Sequence, residues 1–221
     1  MKTEVFADAD SVAQADASFI AAKARAAFAA RGRFILALSG GCTPWPMLRV
    51  LSREDVPWDF LHVVQVDERI AQLGHPDRHL TRSRESLLQD APLRDEQIHL
   101  VTGDPVLDVT DSDVAMTGVY QGKRRMTLTY PILNRSRRIL WIVTWREKAE
   151  MLARLRAGEL SIPTGRVNRK QTLVLADRTA AGQRTRLRSR RCRHDPRRNR
   201  CGSEWIRFET RTARATPRGR P

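Results

Sequence analysis

Five consecutive apolar residues, Phe34-Ile35-Leu36-Ala37-Leu38, run directly into Ser39-Gly40-Gly41-Cys42-Thr43-Pro44. A run this short and this uniformly apolar predicts a strand covered on both faces, because a strand with one wet face alternates. The turn residues then redirect the chain into a helix from about Pro46 to Leu51. Strand, glycine-rich turn and helix make up the unit of a layered α/β domain, and the rest of the chain repeats the alternation. Asp10 to Arg31 is a predicted helix, dense in alanine, with Asp10 or Ser11 as N-cap and Gly32 as its stop. Val12, Phe19, Ile20, Ala26 and Phe28 can share its apolar face. Trp58 to Val66 predicts a second strand that runs straight into Asp67-Glu68-Arg69, and a short helix follows near Arg82 to Gln89. Gln97 to Gly118 reads as loop. Met126 to Pro131, Ile139 to Thr144 and Thr172 to Ala176 read as strands, the last ending at Asp177. Arg146 to Ala157 reads as a helix closed by Gly158, with Glu150 spaced for an i,i+4 pair with Arg154. The expected fold is α/β: three αβα layers around an open, mainly parallel, Rossmann-like sheet. Ligands of such sheets gather at the C-terminal ends of the strands.

The chain has 221 residues and a formal net charge of +15, which on its own would point to a nucleic acid. The charge is unevenly spread. Residues 184–221 hold 14 Arg and 3 acids, which is +11, while the preceding 183 residues carry 26 basic and 22 acidic side chains. The first part is therefore an ordinary, mildly basic domain. No apolar run reaches the roughly 20 residues of a membrane span. The N-terminus lacks the basic-then-apolar order of a secretory signal. Three cysteines, two of them in the tail, make no disulfide framework, so a reduced, cytoplasmic setting is expected.

Two predicted strand ends carry chemistry. Gly40 and Gly41 allow a close backbone approach, and the free amides with the Thr43 hydroxyl could cradle a phosphate at a helix N-terminus. The alternative is a plain tight turn. Arg69 could clamp a phosphate or stabilise an oxyanion, and Asp67 could orient a group or take a proton. The alternative there is a solvated charge cluster. Lys123, Arg124 and Arg125 form a basic run before a strand. No pair among His62, His75, His79, His99 and His194 has zinc-type spacing, so no metal is expected.

Ser39-Gly40-Gly41-Cys42-Thr43-Pro44, Val66-Asp67-Glu68-Arg69, His75-Pro76-Asp77-Arg78-His79, Arg125-Met126-Thr127-Leu128-Thr129 and Glu147-Lys148-Ala149, in that order, resemble the 6-phosphogluconolactonase family. The resemblance runs from about Val5 to Gly182. It implies a cytoplasmic, cofactor-free and metal-free hydrolase that opens 6-phosphoglucono-δ-lactone to 6-phosphogluconate in the pentose phosphate pathway. Its partner would be a phosphorylated sugar lactone. Carried over, Gly40, Gly41, Thr43, Arg69 and Arg125 would bind substrate, and Arg69 with Asp67 beside it would serve catalysis. The related glucosamine-6-phosphate isomerase/deaminase family shares the turn but fits less well around Asp67 and Arg125.

The departures are informative. Cys42 stands where Ser is typical, and Arg78-His79 where Ser-Asn is typical. Between Leu100 and Gly103 the family has a further strand, a glycine-rich turn and the histidine that acts as general base. Here Gln97-Ile98-His99-Leu100 passes almost directly to Gly103-Asp104-Pro105. The expectation is an internal deletion that removes one central strand and the base, and with it most of the activity. His79 and His99 are the histidines left to stand in. The expected organisation is a domain over residues 1–182 and an Arg-rich, disordered tail over 183–221. The tail has the composition of a GC-rich gene read out of frame. It would bind nucleic acid only non-specifically, through its charge.

Overall fold

The computed structural model describes residues 1–40, 43–71, 75, 78–83, 87, 90–99, 114–116 and 124–183. The departure at residues 100–103 and the tail from residue 184 lie outside them, as do Gly41 and Cys42.

The chain opens with strand β1 (Lys2–Phe6), which sequence analysis does not assign. Helix α1 (Ala9–Arg31) follows. Its N-cap is Asp8, two residues earlier than expected, because the extended Asp8 places its carboxylate 2.8 Å from the Ser11 amide. Gly32 closes the helix in the left-handed region at φ 68°. Strand β2 (Phe34–Leu38) and helix α2 (Pro44–Leu51) flank the glycine-rich turn. Trp58–Phe60 is a 3-10 turn that leads into β3 (Leu61–Gln65).

At Val66 the chain changes sheets. The Val66 amide still donates to the Leu38 carbonyl at 2.8 Å, while its own carbonyl accepts from the Leu128 amide at 2.7 Å. Asp67-Glu68-Arg69 is therefore not the tail of a strand, as expected from sequence, but a strand of its own, β4 (Asp67–Arg69). Helix α3 (His79–Ser83) begins earlier than the helix expected near Arg82 to Gln89. The stretch read as loop contains β5 (Ile98–His99) and β6 (Val114–Met116). The stretch read as one strand from Met126 to Pro131 divides into β7 (Arg125–Leu128) and helix α4 (Tyr130–Asn134). Strand β8 (Ile139–Val143) precedes a 3-10 turn at Arg146–Lys148 and helix α5 (Ala149–Ala157), and β9 (Thr172–Asp177) ends the domain. Arg154 pairs with Glu159, at 2.5 Å, instead of the expected Glu150.

Two three-stranded parallel sheets, ordered β1-β9-β8 and β2-β3-β5, carry the domain; a third, β4-β7-β6, is antiparallel. Alternation along β8 defines the layers. Leu140 and Ile142 pack on one face with Leu38, Leu61 and Val63 under α1 and α2. Trp141 and Val143 pack on the other with Leu152 and Leu155 of α5. The parallel strands thus lie between two helical layers, as sequence analysis expects.

The expected burial of β2 on both faces is not found. Phe34, Leu36 and Leu38 reach the core beneath α1, but Ile35 is 57% exposed and Ala37 is open to solvent. Among the described residues β2 pairs only with β3, and β8 only with β9. Both strands feed one apolar cluster, and among the described residues no strand is hydrogen-bonded between them. Just past β8, Trp145 sits at φ 72°, a conformation that favours glycine, with its amide donating to Asp177 at 2.9 Å. Among the described residues no helix is long and apolar enough to cross a membrane.

Candidate active site

The change of sheets at Val66 brings Asp67 to the end of β2. Its carboxylate accepts from the Ser39 hydroxyl at 3.3 Å and the Gly40 amide at 3.5 Å, so it ties down the start of the glycine-rich turn. Its second oxygen lies 3.3 Å from the Arg125 guanidinium and 3.5 Å from His79 Nδ1. Asp67 is 1% exposed. Burial alone would raise its pKa, but His79, Arg125 and the Gly40 amide together hold it below the usual carboxylate range. Asp67 is therefore a fixed anion that organises its neighbours.

Glu68 points the other way, as alternation in a strand requires. It is 2% exposed and accepts from the amides of Arg69 (2.8 Å), His79 (2.7 Å) and Leu80 (3.0 Å) and from the Gln65 side chain (3.0 Å). Arg78 lies 3.6 Å away on the same carboxylate. Glu68 thereby clamps the start of α3 onto β4 and sets the position of His79. Sequence analysis did not find this role, because partners eleven and twelve residues away form no local pattern.

His79 is 7% exposed. Its Nδ1 faces two acceptors, the Asp67 carbonyl at 3.1 Å and the Asp67 carboxylate at 3.5 Å. Its Nε2 is buried and, among the described residues, has no hydrogen-bond partner. The ring lies against Gly40 so closely that a Cβ there would fall 2.1 Å from it. Only glycine fits at position 40 beside this histidine.

Across β4 and β7, Arg69 stands directly opposite Arg125, and Asp67 opposite Thr127. Residues at one register position project from the same face, and like charges there repel unless an anion joins them. Asp67 supplies part of that charge. The paired guanidiniums also suit a phosphate or a developing oxyanion. Thr43 heads α2 without a side-chain capping bond. The structure thus brings together Gly40, Asp67, Arg69 and Arg125 of the expected set; Gly41 lies outside the described residues. His99 does not join them. Its ring is 3.0 Å from His62 and stacks on it, on the parallel sheet away from Asp67. Among the described residues no cluster of metal-ligating side chains is present.

With this geometry in view, comparison with known proteins is decisive. The sequence profile described as Glucosamine-6-phosphate isomerases/6-phosphogluconolactonase matches residues 7–113 and 100–175. The chain belongs to this family. Among its relatives, a 6-phosphogluconolactonase of a Nostoc species is 26% identical over 230 aligned positions, covering 81% of this chain and 96% of the relative. The 6-phosphogluconolactonase structure from Thermotoga maritima superposes with a TM-score of 0.69 at 19% identity, covering 80% of this chain and 98% of that one. A monomeric glucosamine-6-phosphate deaminase superposes with a TM-score of 0.72 at 17% identity, covering 83% and 100%. Both branches of the family therefore share this fold, and the fold does not choose between them.

Proposed function

We propose that this chain acts on 6-phosphoglucono-δ-lactone and opens it to 6-phosphogluconate, as a metal-free hydrolase. The observation that carries this reading is Arg69 facing Arg125 at one register position, on the sheet face where Asp67 fixes the Gly40 turn. Arg125 can hold the phosphate, and Arg69 can either share it or steady the oxyanion as water adds to the lactone carbonyl. The turn amides and Thr43 complete the sugar-phosphate contacts. The relatives favour the lactone over the amino sugar: 6-phosphogluconolactonases from Nostoc and Mycobacterium tuberculosis match over 96% and 97% of their lengths.

The same reading includes a shortened domain that lacks one central strand near residues 100–103. The Nostoc alignment supports it, since 230 aligned positions are more than 81% of a 221-residue chain can fill. So do β2 and β8, each of which pairs on one side only among the described residues and packs into the same cluster under α1 and α2. The matched region ends at residue 175, which supports reading residues 183–221 as an accessory tail. Without the family's base in its place, the rate should fall below that of an intact relative. The test assays the purified chain side by side on the lactone and on glucosamine 6-phosphate, with and without residues 183–221. Weak turnover of the lactone alone, unchanged by truncation, is the expected result. Turnover of the amino sugar would move the chain to the deaminase branch. Loss of sugar-phosphate binding on truncation would give the tail a role in the site.

A further inference from the structure

We infer that His79 is the general base of this chain's lactone hydrolysis, held in its working form by Asp67. The inference rests on the lactonase reading above and adds to it the residue that takes the proton. Both groups near Nδ1 are acceptors, the Asp67 carbonyl at 3.1 Å and the Asp67 carboxylate at 3.5 Å. Nδ1 therefore donates, and a ring with a single N–H then carries its lone pair on Nε2. That Nε2 is buried and, among the described residues, meets no donor. A buried acceptor left without a partner is costly, and an imidazole backed by a carboxylate, with its far nitrogen unpartnered, is the arrangement that activates a water or hydroxyl. The ring is also in the right place. It lies on Gly40 at the glycine-rich turn, and shares Asp67 with Arg125. Glu68 holds its backbone through the His79 and Leu80 amides, so its position does not depend on the ligand. His99, the other available histidine, is engaged with His62.

The step balances. His79 Nε2 takes a proton from water as the water oxygen bonds to the lactone carbonyl carbon, and the carbonyl oxygen becomes an oxyanion beside Arg69. Collapse of that intermediate breaks the bond between the carbonyl carbon and the ring oxygen. The departing ring oxygen receives the proton from His79 Nε2, and the new carboxylic acid loses its proton to solvent.

The test uses the full chain and His79→Asn, whose amide can still donate to the Asp67 carbonyl but cannot take a proton. Lactone turnover, binding of 6-phosphogluconate by calorimetry, and rescue by added imidazole are measured on both. The expected result is a kcat at least about 10²-fold lower in His79→Asn, product affinity within about twofold of the parent, and partial recovery with imidazole. Asp67→Asn, which loses the fixed anion behind the ring, should lower kcat without imidazole rescue. An unchanged kcat in His79→Asn would overturn the inference. Binding of 6-phosphogluconate with no turnover by the parent chain would also overturn it, and leave the sugar-phosphate reading standing. No binding by the parent chain would overturn that reading and the inference with it.

Discussion

The β4-β7 region and the junction between β2 and β8 are built from equally apolar-flanked strands, yet they end in opposite states. In β4, both acids are buried against partners: Asp67 on Arg125 and His79, Glu68 on three amides and Gln65. At the junction, β2 and β8 each pair on one side only among the described residues, and Ile35 is 57% exposed. The difference separates charges that close on one another from a sheet face that stays open to water. The β4 network closes through residues 65–80 and a single antiparallel partner, so it needs nothing from the region near residue 100. A parallel sheet needs each strand's neighbour, and no local segment can supply one that is missing.

The largest effect should come from breaking the closed region. Asp67→Ala removes the anion 3.3 Å from the buried Arg125 guanidinium and should cost about 3–5 kcal/mol, read as a drop in the denaturant midpoint. The parent's stability from this group is present above the ordinary carboxylate pKa and is lost in acid, because its folded-state pKa is depressed. A cost below about 1 kcal/mol would mean that the network is no tighter than a surface pair.

Asp16 should come next, with the opposite sign. It lies fully buried in α1, neither oxygen is hydrogen-bonded, and burial pushes its pKa up from 3.8 to about 8. The folded chain keeps a proton that the unfolded chain releases. Stability is therefore fully present below about pH 4 and declines as pH rises toward 8. Asp16→Ala should raise the thermal midpoint at pH 8, by about 1–3 kcal/mol in stability, and flatten that decline. A midpoint unchanged at pH 8 would place Asp16 in contact with water.

At the end of β8, Trp145→Gly removes a side chain from a left-handed backbone position and should stabilise by about 1 kcal/mol. A destabilised variant would show that the indole packs more tightly than its partial exposure implies. The smallest change is Ile35→Thr. If the face is open, stability moves by less than about 0.5 kcal/mol while solubility improves. A loss above about 1.5 kcal/mol would show that the face is covered, and would erase the contrast between the two regions.

Much of the local structure was legible because local chemistry decides it. The Phe34–Leu38 strand, the helix ending at Gly32, the helix closed by Gly158 and the strand ending at Asp177 follow from apolar runs and backbone stops. The site residues Gly40, Asp67, Arg69 and Arg125 were also visible as turn and charge motifs at strand ends. Pairing was not. That β4 leaves one sheet for another at Val66, and so sets Arg69 against Arg125, depends on register with a strand almost sixty residues away.

By itself, then, the sequence determined the alternation of strands and helices, the family, and the residue types available to the site. Their period and spacing are properties of contiguous chain. Tertiary structure alone decided which of those residues act together. Glu68 became a buried clamp, and His79 was turned with its Nδ1 toward Asp67 and its Nε2 free. Ile35 was left facing water. Each of these states depends on what lies across a strand pair or beneath a helix, and no stretch of sequence contains that information.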